Sequence, residues 1–131
     1  NISLTPKELN FSTTKPDTHE QQRNILLALD MKRPGEVWLE GKKIHLPEKQ
    51  YRLLCLLANN VGCCVSYEDI YKELWKDVIV EEAQIAFQKC QLLQKLCSVS
   101  KRWKERLRTI PKRGFILDLS PHQIHIISNK A

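Results

Sequence analysis

The sequence predicts an α+β fold: a β-hairpin, three helices with a short strand between the first two, and a closing β-hairpin. Three observations carry that expectation. Apolar triplets flank a glycine turn, with Val37-Trp38-Leu39 before Gly41-Lys42-Lys43 and Ile44-His45-Leu46 after it. Apolar residues recur at helical spacing in three segments between 47 and 97, separated by short breaks. Alternation then returns on both sides of Pro111-Lys112-Arg113-Gly114.

In chain order, residues 1–35 carry the weakest pattern. Ser12, Thr13, Thr14, Pro16 and Asp17 read as loop. Ile25, Leu26 and Leu29 can share one side of a short helix from about His19 to Met31, which Pro34-Gly35 would end. The expectation for 1–35 is an extension or linker, with that helix packed on the domain and edge strands beside it. A dimerisation helix is the sharper alternative. Residues 37–46 form the first hairpin, turning near Gly41.

A first helix starts around Pro47, a residue tolerated in the first turn. Tyr51, Leu54 and Ala58 lie on one side, with Leu53, Leu57 and Val61 beside them, so a wide stripe faces the core. Asn59-Asn60-Val61-Gly62 stops it, and Gly62 can supply the left-handed cap. Cys63-Cys64-Val65 is a brief strand. Ser66-x-x-Asp69 is an acidic variant of the capping box, ahead of Ile70, Tyr71, Leu74 and Trp75. After a break at Asp77 to Val80, a longer helix runs from about Glu81 to Cys97, with two acids in its first turn, where the helix dipole favours them. Arg106–Ile110 and Phe115–Leu119 are the strands of the second hairpin, whose tip is basic. This order is the skeleton of a winged helix-turn-helix over 36–119, with 120–131 as a C-terminal tail.

Composition narrows the function. The net charge of +6 lies in the final third: residues 81–131 hold ten basic and four acidic side chains. Seven of those basics fall between Lys101 and Arg113, opposed only by Glu105. A localised basic patch is the footprint of a polyanion site, although solvated faces also carry charge runs. Five cysteines, an odd number without a C-x-x-C, argue against a disulfide scaffold or zinc ribbon and fit a reducing cytoplasmic setting. Cys55, Cys90 and Cys97 are expected as small core hydrophobes, and Cys63-Cys64 as a strand entering the core. No apolar run approaches the ~20 residues of a membrane span. The missing initiator Met leads us to expect a longer polypeptide, in which a membrane anchor has room. No phosphate loop, H-E-x-x-H or nucleophile elbow is present, so neither enzyme nor cofactor is expected. His122-x-x-His125 would not share a face in a strand, so no metal site is expected there.

Several short motifs resemble one known family in the correct order. Leu46–Leu54 (LPEKQYRLL) resembles the opening of the first helix in bacterial OmpR/PhoB-type output domains. Gly62–Ser66 resembles the strand and cap that follow, and Ile70–Trp75 the second helix with its closing Trp. Arg108-Thr109-Ile110-Pro111-Lys112-Arg113-Gly114-Phe115 resembles the family's wing. The sequence departs from the pattern in three places. Pro47-Glu48 stands where Thr-Pro is usual, so the hydroxyl cap is missing. Leu92-Leu93-Gln94-Lys95-Leu96 replaces the usual Leu-Arg-x-Lys-Leu, and one hairpin is legible where the family has a four-stranded sheet.

The resemblance implies sequence-specific binding of double-stranded DNA by a transcriptional regulator, with helix 81–97 in the major groove and the wing on backbone or minor groove. The alternative is a winged helix used as a protein-interaction module. At ~100° per residue, Ile85, Ala86, Cys90, Leu92, Leu93, Leu96 and Cys97 form an apolar core arc containing Lys89. Gln84, Gln88, Gln91 and Lys95 lie opposite, with Phe87 and Gln94 at the border. Gln84, Phe87, Gln88 and Gln91 are therefore the candidate base contacts, a Gln amide suiting adenine and Phe87 a thymine methyl. Lys95, Lys101, Arg102, Lys104, Arg106, Arg108, Lys112 and Arg113 are the candidate backbone contacts. Trp103 is expected to pack on the helix end. In the resembled family the loop between the second and third helices meets RNA polymerase, which here points to Lys76, Asp77 and Val78. A second copy of the chain on DNA is a further candidate partner.

Overall fold

The computed structural model describes residues 25–127 apart from 77 and 79. It contains two sheets. β1 (Leu27–Asp30), β2 (Glu36–Leu39), β3 (Lys42–His45) and β7 (Ile124–Ile127) form a four-stranded sheet in the order β3-β2-β1-β7. β4 (Cys64–Ser66), β5 (Leu107–Ile110) and β6 (Gly114–Leu117) form a three-stranded sheet in the order β4-β6-β5. Between them in the chain run α1 (Glu48–Asn59), α2 (Tyr67–Trp75), α3 (Glu82–Cys97) and the single turn α4 (Trp103–Arg106). This is a winged helix with β5 and β6 as the wing.

The first sheet differs from the expectation at both ends. Leu27–Asp30 is a strand, not the end of a helix reaching Met31; residues 19–24 of that expected helix lie outside the described residues. Leu27 and Leu29 are fully buried while Ala28 and Asp30 are half-buried, the two-residue period of a strand. β1 is an interior strand, antiparallel to β2 (Ala28 opposite Trp38) and parallel to β7 (Ala28 opposite His125). Both ladders satisfy its backbone, which a helix ending at Met31 would have left to itself. The segment expected as a tail thus supplies a strand. Ser120 N–H donates to Gln123 Oε1 at 2.9 Å in a 3₁₀ turn (Pro121–Gln123) that redirects the chain into β7. The folded sheet therefore extends on both sides of 36–119.

The first hairpin turns through Glu40 (φ 51°) and Gly41 (φ 87°). Two left-handed residues in a two-residue loop match the right-handed twist of paired strands, which is why glycine stands there. Pro47 precedes α1 without any side-chain cap, as the missing hydroxyl implies. α1 buries Tyr51, Leu53, Leu54, Leu57 and Ala58, and Gly62 leaves it at φ 80°. α2 starts with the forward half of the expected cap: Asp69 N–H donates to Ser66 Oγ at 3.1 Å. One continuous core joins Leu27, Leu29, Val37 and Leu39 of the first sheet to α1, α2, α3 and the wing residues Leu107, Phe115 and Leu117.

The approach to the wing also differs. Trp103–Arg106 is helical, so β5 begins at Leu107 rather than Arg106, and β6 spans 114–117 rather than 115–119. Trp103 is wholly buried, as packing on the helix end requires. Anchoring so large a side chain directly after α3 fixes where the wing starts.

Candidate nucleic-acid interface

α3 packs on α1 and α2 through Ile85, Leu92 and Leu96, which are buried, with Gln88, Lys89, Gln91, Leu93 and Cys97 half-buried around them. The solvent face is consequently Ala83, Ala86, Phe87, Cys90 and Gln94, all exposed, with Gln84 and Lys95 exposed on one flank. This corrects the wheel drawn from sequence. Ala86 and Cys90, expected in the core arc, face solvent. Phe87, expected at the border, stands in the middle of the open face and is 54% exposed. The Gln84, Gln88, Gln91 and Lys95 row runs along a flank. The reason is width: a helix packed on two neighbours through Ile85, Leu92 and Leu96 needs only a narrow stripe, and small Ala and Cys residues were counted with the core on hydropathy alone.

The wing is pinned to the start of α2. Tyr67 N–H donates to Arg113 carbonyl oxygen at 3.0 Å, and the Tyr67 and Phe115 rings meet edge to face with centroids 5.5 Å apart. Lys112 takes the left-handed conformation (φ 64°) at the tip, and Arg113 N–H closes the turn onto Ile110 carbonyl oxygen at 3.0 Å. Tyr67 also lines an open groove with Glu68, Tyr71, Val80, Glu82 and Ile85. The wing tip and the start of α3 are therefore neighbours through one tyrosine.

The eight expected backbone cations divide into two groups. Lys95, Lys101, Arg102, Lys104, Lys112 and Arg113 are exposed, and among the described residues none of them forms an ion pair. Arg106 and Arg108 are engaged internally. The Arg106 guanidinium lies 3.4 Å from a Glu40 carboxylate oxygen and 4.8 Å from the Trp103 ring centroid, with its side chain only 16% exposed. Arg108 pairs with Asp118 at 3.0 Å across the wing, both side chains half-exposed. No pattern in the sequence marks the partner Glu40, which is 66 residues away.

Lys76 and Val78 of the α2–α3 loop are exposed, and Asp77 lies outside the described residues. His122 and His125 are both exposed, and among the described residues no cluster of His, Cys, Asp or Glu could hold a metal ion. Cys63 and Cys64 are exposed beside the buried Val65, so the strand enters the core through the valine. No described helix is long and apolar enough to cross a membrane.

A family model described as "Transcriptional regulatory protein, C terminal" matches residues 41–117. No curated protein sequence matches the chain. Among solved structures, the DNA-binding domain of E. coli CadC is 22% identical, with a TM-score of 0.59 over 66% of this chain and 81% of that one. The DNA-binding domain of the response regulator AdeR, solved with an intercistronic region, gives a TM-score of 0.63 at 13% identity, covering 72% of this chain and 96% of that one. The Klebsiella pneumoniae RstA DNA-binding domain, solved with the RstA box, gives 0.53 at 18% identity, covering 63% and 82%. At these identities the likeness is one of fold.

Proposed function

The chain belongs to the family of C-terminal domains of transcriptional regulatory proteins, and from that premise we propose that it binds double-stranded DNA sequence-specifically. α3 enters the major groove and the wing tip meets the backbone or minor groove. The observation that carries this reading is the set of six exposed cations that form no ion pair among the described residues, placed at the end of α3, in the segment after it and at the wing tip. Phosphate contacts from such groups set register and orientation, while the open face of α3 reads bases. Phe87 is a base contact from the middle of that face, and Gln84, Gln88 and Gln91 contact bases from its flank in this reading.

The chemistry is binding, with no reaction to catalyse, and the setting is the cytoplasm, where DNA is. The loop through Lys76 and Val78 is the surface offered to RNA polymerase. Alanine substitution there is expected to spare DNA binding while lowering transcription; loss of both together refutes that role.

The decisive measurement is duplex binding as a function of salt, with duplexes selected from a random pool. Each phosphate contact contributes about −0.9 to the slope of log K against log salt, so five or six contacts give a steep line. Absence of duplex binding at low salt refutes the proposal. Selection also reports half-site spacing, and hence whether two copies bind together.

A further inference from the structure

We propose that the open face of α3 reads thymine methyl groups, so that the recognised sites carry A·T pairs where this helix lies in the groove. The inference rests on the DNA-binding reading above and names its sequence class. Ala83, Phe87, Cys90 and Gln94 follow one another at i, i+4, i+7 and i+11, a stripe ~16 Å long, with Ala86 beside it. All five are exposed, and Phe87 is one of three large hydrophobic side chains left open to solvent among the described residues.

The stripe carries no cation. A guanine is read in the major groove by a bidentate Arg or Lys on O6 and N7, and nothing on this face can do that. The lysines of α3 lie elsewhere: Lys89 is half-buried on the packed side and Lys95 is on the flank. Ala and Phe instead meet the thymine C5-methyl, the one apolar group in the major-groove code, and the Gln94 amide suits the adenine edge. The same A·T pair therefore satisfies both kinds of side chain.

The flanking charges identify the occupant as DNA rather than an apolar protein surface. Lys95 on the flank and the exposed Lys101, Arg102 and Lys104 follow the C-terminal end of the face. At the other end, Tyr67 lines a groove with Glu82 and Ile85 of the first turns of α3 and donates its N–H to the Arg113 carbonyl oxygen of the wing, next to Lys112. The exposed acids Glu81 and Glu82 stand only at its first turn, so an apolar stripe followed by cations that form no ion pair among the described residues complements a groove floor of bases beside phosphate walls.

Uracil tests this directly, because it pairs as thymine does and lacks only the methyl. A duplex selected from a random pool is resynthesised with uracil at single thymine positions, and affinity for the whole chain is measured at fixed salt. Loss of about fourfold is expected for each methyl that α3 covers. Phe87→Ala is expected to abolish the thymine–uracil difference at its own position while leaving the salt slope intact. Phe87→Leu, which keeps an apolar contact, is expected to retain it. The side chain is exposed, so both variants should unfold as the parent does, which circular dichroism checks. Equal affinity for thymine and uracil duplexes with a steep salt slope overturns this inference and leaves the DNA-binding reading standing. A methyl preference that survives Phe87→Ala overturns the assignment to this face. Failure to bind any duplex removes both and points to a protein partner for the stripe.

Discussion

The Glu40 carboxylate at the turn of the first hairpin lies 3.4 Å from the Arg106 guanidinium at the base of the wing, joining two sheets that share no strand. Arg106 is also stacked on the buried Trp103. The pair is half-shielded rather than fully exposed, so a double-mutant cycle between Glu40→Gln and Arg106→Ala is expected to give a coupling of about 0.5–1 kcal/mol. Arg106→Ala alone should cost more than Glu40→Gln, because it also loses the cation–π contact. Its effect belongs to stability: the salt slope of duplex binding should stay as in the parent chain. Arg113→Ala should instead lower that slope by about one and weaken all sequences alike. If Arg106→Ala lowers the slope as Arg113→Ala does, Arg106 leaves Glu40 to meet phosphate.

Gly114 presses against the neighbouring strand of its own sheet. A methyl there would stand 2.8 Å from the Val65 carbonyl carbon and 2.9 Å from Ser66 Cα, with the Val65 carbonyl oxygen nearer still. Its φ is not positive, so the glycine is needed for space rather than for handedness. Gly114→Ala must push β4 away from β6 and is expected to cost about 1–3 kcal/mol, with loosening of the wing. Gly41→Ala is the contrast: its methyl meets nothing within 4 Å, and only the left-handed φ of 87° resists it, at about 1–2 kcal/mol. Denaturant unfolding of the two variants compares these costs. A Gly114→Ala protein as stable as the parent would show that the strands are free to part.

What the sequence disclosed follows from how local each signal is. The stripe of α1, the Ser66 cap, the Gly41 turn and the basic wing tip depend on residues within a few positions of one another, and all are visible in the chain. Strands are expected within 1–35, but β1 cannot be placed there because a four-residue run such as Leu27–Asp30 fits either period, and β7 is hidden because its partner β1 lies almost a hundred residues away. The alternation of Leu27 and Leu29 was the available clue. The open face of α3 was misplaced by roughly a quarter turn. Hydropathy cannot say whether an alanine or cysteine on a helix faces protein or water, and only Ile85, Leu92 and Leu96 mark the packed side without ambiguity. The pairing of Arg106 is not legible in the sequence because its partner, Glu40, is distant.

Two neighbouring groups of α1 make the fold sensitive to alkali. Burial, first of all, and then the adjacent Cys55 push the Tyr51 phenol well above its ordinary range, and its hydroxyl donates to Met31 Sδ at 3.8 Å. Burial likewise raises the Cys55 thiol, against the opposing hydrogen bond to Tyr51, with the Glu73 charge raising it further. Both groups are acids that the fold keeps protonated. Above their ordinary values, about 8.5 for Cys and 10 for Tyr, the unfolded chain has lost protons that the folded one retains, so stability falls as pH rises. Stability should be level for these two groups up to about pH 8, decline through the thiol range, and steepen beyond pH 10. Tyr51→Phe should remove the steep part when urea unfolding is followed from pH 7 to 11. An unchanged decline in that variant would place the sensitivity elsewhere.

Cys90 offers a chemical report on which side of α3 meets DNA. Its thiol is exposed on the open face, three residues after Phe87, whereas Cys55 and Cys97 are half-buried. Cys63 and Cys64 are exposed too, but they lie at the end of β4 away from the wing tip, since Cys64 pairs with Ile116 and Ser66 with Gly114. Alkylation follows thiolate character and access, so the three exposed thiols should react before Cys55, whose thiol burial holds protonated. Saturating a selected duplex should slow maleimide labelling at Cys90 while leaving Cys63 and Cys64 as reactive as in the free chain, with peptide mass mapping to separate them. If the duplex shields Cys63 and Cys64 and leaves Cys90 open, the groove lies on the other side of the molecule. The base contacts would then have to be sought away from Ala83, Phe87 and Gln94.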